Sequence, residues 1–411
     1  MEELSNKDRH PFLSAGIVFF TFIYLFFYQL NYPFNPAFFL YIIFGFCLVL
    51  LVFIKKIHLN LQIWLLLGCC VTALSGMLYT PEVEAGKRET LILFVVLVFL
   101  LANRSSSRLN AKLKKCIFVG SVLVLCGIYL QYFLQATFNA WMRELLRSDC
   151  YHQLMWSFRV DNAYAGFSAY TVDAAFFTAL LFGIYSLRMF GCLQQNKPKY
   201  IHDILFTVLT LFAVFMTSKR GIFVGMFFAL LLTLYLMQRI SKRTMLKIMV
   251  VFLFFCIGIV VFYFTNDIVR NFLNRFLVND DITTGRVVIY AAALQNLFRG
   301  NFMVGFGTGA TYGLYSSGMH NIYLQILYDH GFLGLIPYLA FFVYNLKKAR
   351  ESGDIISIYV QLLMLIYGMS GNPLYSNMIL MTYLVYTTFH PGKSHSDTYE
   401  QENSFPKKVE V

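Results

Sequence analysis

The sequence predicts an all-α polytopic membrane protein of about 12 transmembrane helices, with one long extracytoplasmic loop that carries short helices. Three observations predict it. The 411 residues are 58% hydrophobic and only 13% charged, with a mean hydropathy of +0.62. Soluble domains hold roughly 45–50% apolar and about 25% charged residues. Apolar runs recur at lengths near the ~20 residues that a helix needs to cross a bilayer. Lysine and arginine are shared unequally between alternate connections, the bias that orients helices in a membrane.

Twelve runs are read as spans, at about 12–30, 35–54, 61–79, 90–103, 116–136, 166–187, 201–217, 221–237, 248–264, 321–345, 355–369 and 374–390. The first run lacks an A-x-A-like exit, so a cleavable signal peptide is not expected. With the N-terminus inside, 22 of the 33 basic residues fall in cytoplasmic segments, Arg104–Lys115 and Arg239–Lys247 among them. An even number of spans brings the C-terminus inside too. Residues 1–390 then form a single membrane domain, and 391–411 a disordered cytoplasmic tail. Two outer connections are long, about 137–165 and 265–320. There is no internal repeat and no large central cytoplasmic loop of the kind that marks a transporter built from parallel halves. Of eight cysteines, only Cys150 falls in an outer loop, and no Cys/His ligand spacing is present, so no metal is expected. The net charge of +12 follows membrane orientation, which argues against a nucleic-acid partner.

Eleven basic residues remain on the outer side, and nine of them are arginine: Arg88, Arg143, Arg147, Arg159, Arg220, Arg270, Arg275, Arg286 and Arg299, beside Lys87 and Lys219. A guanidinium offers a planar fork of donors that suits phosphate. Surface solvation is the plain reading of this set; an outer site for phosphate or diphosphate is the sharper one.

Four constellations stand out. Thr217-Ser218-Lys219-Arg220-Gly221 is a tight charged hairpin between two apolar runs, either snorkelling to the interface or marking a site. Residues 283–300 read as a helix that Thr283 or Thr284 caps and Gly300 ends, with an apolar stripe of Val287, Tyr290, Leu294 and Leu297. It is too short to span and is expected on the outer surface. Arg286 lies in its first turn, where the macrodipole disfavours a cation unless Asp280 or Asp281 offsets it. Gly305-Phe306-Gly307-Thr308-Gly309 fails the context of a dinucleotide loop and reads as a tight turn back to the membrane, with a backbone nest at Gly307 as its ligand-binding alternative. His320 opens the tenth span, above a polar face of Asn321, Gln325, Tyr328 and Asp329. Asp173, in the sixth span, is an intramembrane acid whose natural partner is one of the arginines; a structural ion pair and a catalytic role both fit it.

The order Ser218-Lys219-Arg220-Gly221, Thr284-Gly285-Arg286, Gly305-Phe306-Gly307, His320-Asn321-Ile322-Tyr323-Leu324-Gln325 and Gly331-Phe332-Leu333-Gly334-Leu335 resembles the O-antigen ligase and O-antigen polymerase superfamily over about 205–345. The resemblance implies a GT-C-type, inverting glycosyltransferase without metal or other cofactor. Such an enzyme moves a glycan from an undecaprenyl-diphosphate carrier to an acceptor sugar hydroxyl. It does so at the outer face of the bacterial inner membrane. It implies that Arg220 and Arg286 bind the diphosphate and that His320 orients or deprotonates the acceptor, or assists the diphosphate site. Lys219, Arg159, Asn321, Gln325, Gly307 and Asp173 complete the expected substrate-binding set. Expected partners are the lipid-linked oligosaccharide, the acceptor glycan, the bilayer and other membrane proteins of polysaccharide assembly. One departure is Asp329, where the family often has glutamate before the glycine. Ser370-Gly371-Asn372-Pro373-Leu374-Tyr375 resembles polymerase members. A ligase acting on lipid A-core or another acceptor, a lipid-linked oligosaccharide flippase and a noncatalytic assembly protein are the alternatives.

Overall fold

Every regular element among the described residues of the computed structural model is helical. The structure describes residues 10–54, 59–194, 200–237, 257–258, 261, 263–277, 286–314, 318–373 and 376–389. Most of the expected ninth span, the caps Thr283 and Thr284, the acids Asp280 and Asp281, and the tail 391–411 lie outside them.

The helices run α1 (Pro11–Phe27), α2 (Ala37–Val52), α3 (Leu61–Gly76), α4 (Val83–Ser105), α5 (Ser107–Phe133), α6 (Gln135–Leu145), α7 (Ser148–Asp161), α8 (Thr171–Gln194), α9 (Tyr200–Met216) and α10 (Arg220–Leu236). They continue as α11 (Asp267–Leu277), α12 (Arg286–Asn296), α13 (Ala310–Leu314), α14 (Ile322–Ser352), α15 (Ile355–Tyr367) and α16 (Asn377–Thr387). Among the described residues, α5, α8 and α14 are long and apolar enough to cross a membrane, and α1, α2, α3, α9, α10, α15 and α16 are shorter apolar helices. Large side chains such as Phe12, Val52, Val71, Phe228, Leu231 and Val343 face outward along these helices. An apolar exterior of this kind suits contact with lipid tails. The chain is a helical multi-pass membrane protein.

Helix α8 forms the centre and is buried along nearly its whole length against α5, α9, α10 and α15. Polar side chains tie the bundle where hydrocarbon offers no partner. Gln62 Nε2 donates to Asn345 Oδ1 at 2.7 Å, and Asn345 Nδ2 to the Tyr383 hydroxyl at 3.0 Å, joining α3, α14 and α16. The Tyr359 hydroxyl donates to the Ala179 carbonyl at 2.7 Å, pinning α15 to α8.

Three readings change. The fourth run is a helix from Val83, not from about 90, because the charged turn at Glu84, Lys87 and Arg88 continues the helix that packs at Gly86. The connection 137–165 holds α6 and α7 and is fastened to the end of α1, where the Arg147 amide donates to the Gln29 carbonyl at 3.1 Å. In α12 the inward face passes through Tyr290, Ala293 and Leu297, while Val287 is exposed. A π-type turn over Leu297–Asn301 follows, and the backbone leaves helical geometry at Gly300, the expected end of the helix.

The break in α14 positions everything above it. Gly331 has φ 65, and a side chain there would lie 2.4 Å from the carbonyl of Met303. Only glycine takes that conformation without strain. The interrupted helix leaves main-chain groups to be satisfied, and the glycine-rich turn supplies partners. The amides of Phe306 and Gly307 donate to the carbonyls of Tyr328 and Asp329 at 2.9 and 2.8 Å, and those of Phe332 and Leu333 to Phe302 and Met303 at 2.8 and 3.1 Å.

Candidate functional site

Three helix starts meet at one end of the bundle. Arg220 is the first residue of α10, Arg286 the first of α12, and His320 stands two residues before α14. The loop 368–373 after α15 lies between them. Arg286 Nη1 donates to the Ser370 carbonyl at 3.0 Å. A side chain at Gly221 would meet the Ser370 hydroxyl at 2.1 Å, so Gly221 lets the start of α10 close on the same residue. The Ile322 amide donates to the Gly368 carbonyl at 2.8 Å, which brings the start of α14 to that loop as well.

The backbone is unusual at both charged turns. Ser218 and His320 have φ 56 and 53, in the left-handed region that few side chains adopt. Such strain persists only where the surroundings impose it, and it concentrates at functional sites. At His320 the Tyr290 hydroxyl donates to its carbonyl at 3.2 Å. At Ser218 the hydroxyl donates to the Asp161 carbonyl at 3.3 Å, drawing the end of α7 toward the hairpin.

Burial holds the His320 imidazole below the ordinary histidine pKa, and the positive charges of Arg286 and Lys219 push the same way. The ring is therefore neutral near pH 7 and able to accept a proton. Its sensitivity to both cations places Lys219, Arg286 and His320 in one electrostatic neighbourhood. Two cations beside a neutral imidazole suit an anion with a hydroxyl to be deprotonated next to it.

The other expected residues divide. Arg159 is exposed in the last turn of α7, two residues before the Asp161 carbonyl that Ser218 contacts. Asn321 spends its side-chain oxygen capping α14, accepting from the amides of Tyr323 and Leu324 at 3.1 Å each. The Gly307 amide is bonded to the Asp329 carbonyl. Gln325 is buried beside Gly318, which also abuts Asn372. Asp173 is buried at the start of α8 and accepts from the Ser376 hydroxyl at 3.4 Å, and among the described residues no arginine forms an ion pair with it. Tyr367 lies within electrostatic reach of both Asp173 and Arg286. Sequence reasoning missed Ser370 as a contact of Arg286, because a main-chain carbonyl leaves no signature in residue type.

Residues 205–339 match the family model described as O-antigen ligase. Over these residues the chain is similar to the O-antigen ligase family. The matched segment runs from α9 into α14 and contains Lys219, Arg220, Arg286, Gly307, His320, Asn321 and Gln325. It bears out the resemblance read over about 205–345. Arg159, Asp173 and Ser370 lie outside the matched segment. At the family level the match supports a glycosyltransferase-like membrane enzyme acting on lipid-linked glycans. No curated protein matches the chain.

Proposed function

We propose that the chain is an O-antigen or capsular polysaccharide polymerase. It transfers a glycan from an undecaprenyl-diphosphate carrier to an acceptor sugar hydroxyl at the outer face of the bacterial plasma membrane. About twelve spans with both termini cytoplasmic put the site on that face. The observation that carries the reading is the meeting of Lys219, Arg286 and His320, with Arg286 and Gly221 both against Ser370.

In this mechanism the bond between the anomeric carbon and the diphosphate oxygen breaks, and its electron pair stays on the diphosphate. Arg220, Arg286 and Lys219 balance the charge that develops there, as fixed donors in a water-poor site do for other leaving groups. The acceptor oxygen attacks the opposite face of the anomeric carbon, and His320 takes its proton. The bound diphosphate offsets the two cations that disfavour imidazolium, so the base is strengthened when donor is present. Arg159 meets the glycan, and Asp173 steadies the start of α16 through Ser376. Asn321 and Gln325 act by holding the start of α14, and Gly307 by seating the loop that carries α13.

The Ser370-Gly371-Asn372-Pro373 segment favours a polymerase over a ligase, because the segment resembling polymerase members is the one that holds Arg286. The test is purified protein given one lipid-linked repeat unit. A ladder of lengthening lipid-linked chains supports the polymerase. Transfer only to an added lipid acceptor assigns a ligase, and translocation without transfer assigns a flippase.

A further inference from the structure

At the end of the bundle away from His320, α4 closes with Arg104 in its last turn. The polar groups around that end are bonded to one another. Asn103 Nδ2 donates to Asn110 Oδ1 at 3.2 Å and to Thr388 Oγ1 at 2.9 Å. Lys114 pairs with Asp354 at 3.2 Å, and Lys348 with Glu351 at 2.6 Å. Arg104 has no such partner. Its Nε is buried without an acceptor, and among the described residues no carboxylate forms an ion pair with it. The group within its electrostatic reach is Tyr344 on α14, and Lys348 Nζ stands 6.0 Å from the centre of that tyrosine ring.

The last turn of a helix suits a cation. It supplies no acceptor for a guanidinium N–H, and a buried donor left unmade is costly, more so on a charged group. The surrounding sequence does not offset it. Segments 104–115 and 344–354 hold eight basic residues against two acids, and both acids, Glu351 and Asp354, are taken by lysines. A counter-anion from outside the chain completes the site.

The surroundings identify that anion. Val343, next to Tyr344, is 66% exposed. Trp64 is 55% exposed one turn into α3, whose Gln62 bonds Asn345 beside Tyr344. Outward apolar side chains and an outward indole next to a layer of cations mark the boundary between lipid and water. A guanidinium at that depth meets phospholipid headgroups, and its fork of donors matches their phosphate. Most of the length of α14, on the order of 30 Å at the ordinary helical rise, separates Tyr344 from His320.

We propose that Arg104, with Tyr344 and Lys348 beside it, binds the phosphate of one anionic phospholipid in the leaflet away from His320. The lipid holds the end of α4 to α14. The site is separate from the one at Arg286 and His320, so it does not rest on the transferase reading.

The experiment uses the full chain in neutral detergent, with phosphatidylglycerol, phosphatidylcholine or sodium phosphate added. Wild-type protein is expected to show a saturable rise in Tm of several degrees with phosphatidylglycerol alone. Native mass spectrometry should find a single phosphatidylglycerol retained per chain. R104M is expected to lose both responses, whereas R350M, which removes an exposed cation at the same end, should keep them. Should R104M not fold, R104K takes its place; it keeps the charge without the fork and should weaken retention roughly tenfold or more. Equal losses in R104M and R350M would overturn the proposal in favour of diffuse attraction to a basic surface. An equal response to phosphatidylcholine, or no retained lipid, also overturns it. A rise in Tm with sodium phosphate alone would assign a site for free anions and not for a lipid.

Discussion

Arg286 donates from Nη1 to the Ser370 carbonyl at 3.0 Å, across 84 residues of sequence. The same serine closes against Gly221, beside Arg220. One residue of the 368–373 loop thus contacts two helix starts that each begin with an arginine. The bond also offsets the cost of a cation in the first turn of α12.

Gly221→Ala tests this arrangement. Its methyl group would meet the Ser370 hydroxyl at 2.1 Å, so Ser370 must move, and Arg286 with it. Glycan transfer is expected to fall roughly tenfold or more, the scale on which small displacements act at reacting centres. Adding Ser370→Gly should restore part of the loss, because the clash disappears while the carbonyl stays. Independent effects of the two changes would detach Ser370 from the site.

Arg286→Lys keeps the charge but replaces a planar fork with a single ammonium. We expect most transfer to be lost with the protein still inserted and folded. Unchanged kcat/KM in this variant would remove bidentate anion binding at Arg286.

The pH profile follows from His320. Its folded-state pKa lies below the ordinary value of about 6.5, so the neutral form prevails at pH 7. The kcat/KM of free enzyme should be level near neutrality and fall only on acidification below that value. Lys219→Met removes one cation that disfavours imidazolium, so the acid limb should move to higher pH. A limb that stays in place would separate Lys219 from His320.

Gly331→Ala should destabilise the protein. A left-handed φ of 65 and a 2.4 Å approach to Met303 leave no room for a methyl group, and loss of about 2 kcal/mol or more is expected. Thermal unfolding in detergent measures it. An unaltered Tm would contradict the role given to the break in α14.

Much of this was legible because a bilayer imposes simple rules. The runs that became α1, α2, α3, α5, α8, α9, α10 and α14 could be read from hydropathy alone. The start of α4 could not, since Glu84, Lys87 and Arg88 look like a loop until Gly86 is seen against Thr308. Lys219, Arg286 and His320 were readable as candidates, because a cation or a histidine in a polar turn beside apolar helix is chemically conspicuous. Ser370 was not, because it acts through a main-chain carbonyl.

The central claim is that Arg220, Arg286 and His320 serve one transfer reaction. It is tested most directly by transfer from purified lipid-linked donor, with chelator present, comparing wild type with His320→Ala. The account predicts undiminished wild-type transfer under chelation and a fall of roughly a hundredfold in the variant, the scale of a general base, with donor binding retained. Near-normal transfer by His320→Ala, or abolition of wild-type transfer by chelator, would contradict it.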